Sequence, residues 1–494
     1  MAWRIGLEME MGVISQHDGR SHAVTRYFEA LAQVKRRHGQ QVERIELHGR
    51  TIGLDTEAGC SGLDNGYNLL ETAFAPVPGG AGCLDHLAGL VNQELKDVIQ
   101  ALDAEGAALL NASEHPDCPL DPQWYAAVRV DRPIYQELVG YRGWAHQVGI
   151  DAKAQNGPCT SVEVGQAVSA LNTMLALAPA LIAMFANSPL EAGRETGLKE
   201  NRLTIWDRMF EHSRFRGDHF LQRMPARPFD DLGDHYRWMF GAQTASRALP
   251  LELGQGYKSA ASVYLDGDPA LNEFLRSGSW EGRSGPTATP LVMRPRGGHF
   301  VYAQYAHFLD ARWRYQVEQE PPLDALLAAW DRPGGIETLL QSCGAMGYIE
   351  GRAPGAVFAD AQLIDELGRD IAATAPVAPS AVQLGLLNNL TEAEQLWRQW
   401  GWETLRELRG AAIRAALDDD RVRALAQDVL AVARAGLPKD EQRWLAYAEQ
   451  AVQARRTGAD RLLELWQAYA GRPDRLARIG EQRRVCVIEP SFRV

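Results

Sequence analysis

The chain has 494 residues, 46% of them hydrophobic, and a formal net charge of −12. That is enough apolar material for a large core, in roughly two to four domains or one elaborated body, and the acidic, interspersed charge without any Lys/Arg-rich run argues against a nucleic-acid partner. Six cysteines (Cys60, Cys83, Cys118, Cys159, Cys343 and Cys486) are scattered without zinc-type spacing, as expected of free thiols in a cytoplasmic protein, and no charged-then-apolar signal segment precedes the first strand.

Residues 4–13, Arg-Ile-Gly-Leu-Glu-Met-Glu-Met-Gly-Val, read as a strand. Alternation then sends Leu7, Met9 and Met11 into a core and sets Glu8 and Glu10 side by side on the other face. Two like charges there are costly unless something positive sits between them, and a hard divalent cation is the simplest partner. The alternative is an edge strand with a wet acidic face. Next come an amphipathic helix over 23–37 and two short strands around Gly49 within 42–54. A strand over 66–74 carries Glu71. Helices are expected over 84–104 and 132–147. The cluster Gly79-Gly80-Ala81-Gly82 lacks a following Lys-Ser/Thr and reads as a turn rather than a phosphate cradle. His115, in the loop 112–118, reads as a solvated loop histidine, with a substrate or phosphate contact as the alternative.

The strand Cys159-Thr160-Ser161-Val162-Glu163-Val164 feeds an apolar run, 168–185, that approaches the length of a membrane span. Asn172, Thr173 and Pro179 inside it, and the lack of flanking Lys/Arg, favour a buried central helix. Residues 250–300 are Gly-rich and aromatic and read as a loop-rich insertion. Residues 346–352 form a strand carrying Glu350 and Arg352. Beyond 385 the pattern is helical, through 396–416, 420–435, 439–455 and 458–470. The expected division is a catalytic body over 1–384, a C-terminal helical layer over 385–480 and a tail over 481–494. Strands separated by helices of varied length mean α/β or α+β.

Glu8 with Glu10, Glu71, Glu163 and Glu350 all stand in otherwise apolar strands. Singly each has a solvent-facing alternative. Together they describe a sheet lined by carboxylates that could hold roughly two or three Mg²⁺ and, through them, nucleotide phosphates. Arg352, on the same strand face as Glu350, would supply fixed positive charge to a transferring phosphoryl group. Such chemistry needs no nucleophilic side chain. A substrate carboxylate attacks the γ-phosphate, and an amine then displaces phosphate from the acyl phosphate.

The run from Phe185 to Trp206, with Ala-Asn-Ser-Pro-Leu at 186–190 and Arg-Leu-Thr-Ile-Trp at 202–206, closely resembles the glutamate–cysteine ligase family of plants and many bacteria. Gly6-Leu7-Glu8-Met9-Glu10, Glu71, Gly347-Tyr348-Ile349-Glu350-Gly351-Arg352 and Gln383-Leu384-Gly385-Leu386-Leu387 resemble further family segments, in family order. The likeness is patchy between about 210 and 330. The resemblance implies an α+β, glutamine-synthetase-like fold: a curved, mostly antiparallel sheet forming a funnel and covered by helices. It implies an ATP- and Mg²⁺-dependent ligase of glutathione biosynthesis that joins the γ-carboxylate of glutamate to the amine of cysteine. Family metal ligands fall on Glu8, Glu10, Glu71 and Glu350, glutamate-binding residues on Arg202 and Trp206, and a phosphate-facing arginine on Arg352. Glu350 and Arg352 are then the catalytic pair. Arg202 also suits bidentate carboxylate binding on chemical grounds, its alternative being a helix-surface ion pair.

The strand 159–164 departs from the family at Glu163, where it typically has Gln or a His-containing sequence. Glu163 is then either an extra metal ligand or the residue that meets the amine of a different acceptor, Thr160 on the same strand is a further substrate-binding candidate, and the acceptor is cysteine by default or another amino acid, an amine or a carrier-bound peptide. A non-catalytic binding protein on the same scaffold would be expected to have lost some of these glutamates. A metal-dependent hydrolase would need a general base, and no His cluster supplies one.

Overall fold

The computed structural model describes residues 4–241, 244, 249–254, 256, 258–305 and 307–489. A ten-stranded sheet organises the molecule. Its strands are β1 (Arg4–Ser15), β2 (Glu43–Leu47), β3 (Arg50–Thr56), β4 (Gly59–Leu63), β5 (Leu69–Phe74), β6 (Val77–Pro78), β7 (Ala107–Leu110), β8 (Asn156–Val162), β9 (Ala311–Gln316) and β10 (Met346–Gly351). The order is β9-β10-β8-β1-β5-β4-β3-β2, with β6 and β7 both paired to β1, and all these pairings are antiparallel. The sheet is open, and with its helices it makes an α+β fold.

The alternation in β1 comes out as expected. Leu7, Met9 and Met11 are at most 1% exposed. Helices Ala378–Asn388 and Cys83–Asp103 pack against β1, and the helix Ala167–Met184 packs on β9 and β10, apolar on all sides because it is buried on all sides. The stretch Val164–Met184 has the length and apolarity of a membrane span, but 89% of its apolar window is buried in the protein. Its polar groups are satisfied internally: Asn172 bonds both the carbonyl and the N–H of Phe229, and Thr173 accepts the indole N–H of Trp397. Helices Trp402–Ala415, Asp420–Ala435 and Leu390–Trp400 pack around it. The helix Ala378–Asn388 packs on β8, so position 384, the expected edge of the catalytic body, falls inside a helix.

Turn chemistry sets several boundaries. His48 (φ 50°) and Gly49 (φ 74°) form the two-residue left-handed turn that closes the β2–β3 hairpin. Gly401 (φ 83°) breaks the helix expected over 396–416 into two. The glycines before Cys83–Asp103 form a turn, and the first free N–H of that helix, on Leu84, is taken by Glu441 at 2.8 Å, a carboxylate of the protein itself.

One expectation is corrected and two are sharpened. Residues 132–147 are not an α-helix but a wide π-helical turn, Gln136–Tyr141, followed by a 3-10 turn, His146–Val148. Gly140 and Gly143 (φ 77°) weaken the helix there. The segment 250–300 is loop-rich, and it also holds a three-stranded antiparallel meander (Val263–Leu265, Trp280–Ser284, Pro290–Met293) and two short helices, while residues 255 and 257 lie outside the description. The tail is attached up to residue 489: Val485 and Cys486 donate backbone hydrogen bonds to Leu109 and Ala359. All six cysteines are free.

Candidate functional site

Register decides which side chains share the face opposite the central helix. Glu10 stands across from Glu71 on β5, Glu8 across from Gly157 on β8, Glu350 across from Cys159 on β8 and from Arg312 on β9. Partners in register point to the same side. Glu8, Glu10, Glu71, Glu350, Arg312 and Arg314 are thereby gathered on one face. Glu8, Glu10, Glu71, Arg312, Arg314 and Arg352 line a cavity of about 410 Å³, with Arg202 and Trp206 on its wall.

Glu350 is fully buried and carries three arginines. Arg312 Nη2 and Arg352 Nη1 donate to Oε1 at 2.5 and 2.8 Å, and Arg314 Nη1 donates to Oε2 at 2.8 Å. Burial would raise this carboxyl, but Arg312, Arg314 and Arg352 outweigh it and hold it well below the ordinary carboxylate range. The cluster leaves excess positive charge beside the cavity, suited to phosphate.

Glu8 and Glu10 are in the opposite situation. Among the described residues neither has an ion-pair partner. Glu10 accepts only the N–H of Gln155, at 3.0 Å. Burial, then Glu350 and Glu71, push Glu8 up to about 7. Burial, Asp64 and Glu71 raise Glu10 well above its ordinary value. Glu71 pairs with Lys258 at 2.9 Å. Among the described residues, no group of three or more His, Cys, Asp or Glu side chains converges to hold a metal ion. Two of the four carboxylates expected to hold metal carry cationic partners. Glu350 is held by arginines and Glu71 by Lys258, while Glu8 and Glu10 are the oxygen donors whose uncompensated charge fits a hard cation.

Arg202 is buried rather than a surface helix residue. Its Nε bonds Glu200 at 2.8 Å, and its Nη2 donates to the carbonyls of Ala353 and Pro354 at 3.1 and 3.3 Å. Only Nη1, 3.5 Å from Gln155 Oε1, is left largely uncommitted for a ligand. The motif around it is scaffold: Glu200 accepts from the N–H of Asn187 and the hydroxyl of Ser188, and Ser188 Oγ in turn accepts the N–H of Arg202. Trp206 packs on Phe308, ring centroids 4.5 Å apart, as an apolar wall of the cavity.

Other expected site residues lie elsewhere. Thr160 is on the helix side of β8, where Gln383 donates to its hydroxyl at 3.1 Å; it is one residue out of phase with the site face. Glu163 is exposed, just past the end of β8, beside an adjoining cavity of about 390 Å³ that shares Glu8 with the first. His115 is not solvated. It is buried, hydrogen-bonded to the Gly19 carbonyl and the Asp117 N–H, and burial pushes it down to about 4.

Sequence reading missed Arg312 and Arg314, although Ala311-Arg312-Trp313-Arg314-Tyr315 alternates with the strand period. Lys258, Glu200 and Arg132 carry no comparable local signal.

Residues 4–227 match the model of glutamate-cysteine ligase family 2 (GCS2). That is a little under half of the chain. It takes in Glu8, Glu10, Glu71, Arg202 and Trp206 and stops before Arg312, Arg314, Glu350 and Arg352. The match supports a ligase role. The chain is also similar in structure to a glutamate–cysteine ligase from Francisella tularensis, solved in complex with AMP. The TM-score is 0.49 at 13% identity, covering 98% of this chain and 92% of that one. No curated protein matches the chain.

Proposed function

We propose that this chain, with its glutamate-cysteine ligase family 2 region over residues 4–227, is an ATP- and Mg²⁺-dependent carboxylate–amine ligase. It forms a γ-glutamyl amide, by default from glutamate and cysteine. The observation that carries the reading is the charge pattern of the cavity floor: uncompensated Glu8 and Glu10 stand beside three arginines clustered on Glu350.

In the reaction a γ-carboxylate oxygen of glutamate bonds to the terminal phosphorus of ATP, and the bond to the ADP oxygen breaks. The amine nitrogen then bonds to the acyl carbon, inorganic phosphate leaves with the bonding electrons, and the nitrogen releases its proton. Arg312, Arg314 and Arg352 bind and orient the phosphoryl oxygens and offset charge that grows as the bonds exchange. Arg202 Nη1 and Trp206 bind the acid substrate. Glu8 and Glu10 would hold Mg²⁺, which would neutralise phosphate charge. The adjoining space beyond Glu8 leaves room for the nucleotide.

The test is to incubate the protein with ATP, Mg²⁺, glutamate and a panel of amines. Release of ADP and phosphate that depends on both glutamate and an amine is expected. Its absence with every amine sinks the ligase reading for these donors.

A further inference from the structure

Arg132 lines the same cavity but is unlike its other arginines. Arg202 is matched by Glu200, and Arg312, Arg314 and Arg352 by Glu350. Arg132 is 9% exposed, its Nη2 donates to the Leu63 carbonyl at 2.5 Å, and its Nε has no partner. Among the described residues no carboxylate pairs with it. The neighbouring Asp64 is engaged by Asn65 and by Lys258, the latter at 3.4 Å. A buried guanidinium without a counter-charge is costly, and a ligand carboxylate relieves the cost through paired, charge-assisted hydrogen bonds.

Its position separates it from the phosphate end. Leu63 ends β4 and Glu350 lies on β10, with β5, β1 and β8 between them. Four strand spacings amount to roughly 19 Å, enough for two substrates end to end along the floor. Beside Arg132 the lining is largely apolar: Ile134, Tyr135 and Leu138 follow it closely in sequence, and Ile52 stands on β3, next to β4. Asp64 and Lys258 pair with each other there, so an apolar wall with one unpaired positive charge selects a ligand that has an anionic group and an apolar body.

We propose that Arg132 marks the acceptor subsite and receives the free carboxylate of an amino-acid acceptor with an apolar side chain larger than that of cysteine. This inference rests on the ligase reading, and its covalent step is the amide bond formation already described. The full-length protein is assayed with ATP, Mg²⁺ and glutamate against leucine, phenylalanine, cysteine and phenethylamine. Hydroxylamine, a small amine that traps an activated acyl group, is run in parallel. Leucine or phenylalanine is expected to exceed cysteine in kcat/KM. Phenethylamine, which is phenylalanine without its carboxylate, should lose roughly 10- to 100-fold. Arg132→Gln should raise the acceptor KM by a similar factor with the glutamate KM unchanged, and Arg132→Lys should recover part of the loss. If Arg132→Gln does not fold, Arg132→Lys and the phenylalanine–phenethylamine pair on the wild type decide. Preference for cysteine, equal use of phenethylamine, or an Arg132→Lys or Arg132→Gln effect on glutamate KM instead overturns the proposal. Hydroxamate formation without turnover of any amino acid on the panel overturns it while leaving the ligase reading intact. No hydroxamate and no amide with any amine removes both.

Discussion

Glu8 and Glu350 lie on one sheet face yet differ in what balances their charge, so the same substitution should act oppositely on them. Glu350→Gln leaves three arginines around a neutral amide in a buried place. It is expected to destabilise the fold by about 3 kcal/mol, read as a lower Tm without any ligand, as well as to abolish turnover. Glu8→Gln removes a carboxylate that the fold holds unfavourably. Glu8 stands at about 7 against an ordinary value of 4.5, so the folded state binds its proton more tightly than the unfolded chain. Its contribution to stability therefore falls as pH rises through that window. Wild type and Glu8→Gln should melt alike near about pH 5, with Glu8→Gln the more stable near about pH 8. Adding Mg²⁺ should raise Tm more in the wild type, and more at the higher pH, because protons compete for the same oxygens. An Mg²⁺ response that survives unchanged in Glu8→Gln would remove Glu8 from the metal assignment.

At the scale of elements, the arginine cluster depends on how β9 and β10 pack. Gly347 on β10 lies under Trp313 of β9: a Cβ there would come within 1.7 Å of the indole. Trp313 stands between Arg312 and Arg314 on its strand. Gly347→Ala is expected to cost about 1–3 kcal/mol through overpacking. It should also lower kcat by displacing the two arginines, and thermal melts alongside steady-state kinetics check both. Arg202→Ala likewise has a structural part, because the side chain ties the 187–202 loop to the 352–354 turn. A raised glutamate KM together with a lowered Tm is expected, unlike the pure KM effect of a surface residue.

Across the whole molecule, segments far apart in sequence close the site from behind. Arg409, on the helix Trp402–Ala415, grips Asp310 just before β9 through two hydrogen bonds, at 2.5 and 2.8 Å. Arg483, near the C-terminus, is 1% exposed and donates to the Asn111 carbonyl at 2.6 Å and to Asn187 Oδ1 at 2.7 Å. It thus supports the start of the motif that sets Arg202. Arg483→Ala should destabilise by about 3 kcal/mol, since Asp360, 3.3 Å away, is left buried and short of its cation. A Tm close to wild type would show that the tail is dispensable.

The strand period of residues 4–13 was enough to put Glu8 and Glu10 on one face, because alternation is a local property of extended backbone. The apolarity of 168–185 likewise was enough to bury its helix. Glu71 and Glu350 were legible as carboxylates in strands, but only register across β5, β1, β8 and β10 shows that they share a floor with Glu8 and Glu10. Thr160 shows the limit: a single residue of phase, invisible in a short apolar strand, turned it to the helix side. Charge balance was decided entirely by tertiary structure. Arg312 and Arg314 claim Glu350, Lys258 claims Glu71, and among the described residues Arg132 is left without a counter-charge, since ion pairing depends on separations through space that no local pattern encodes.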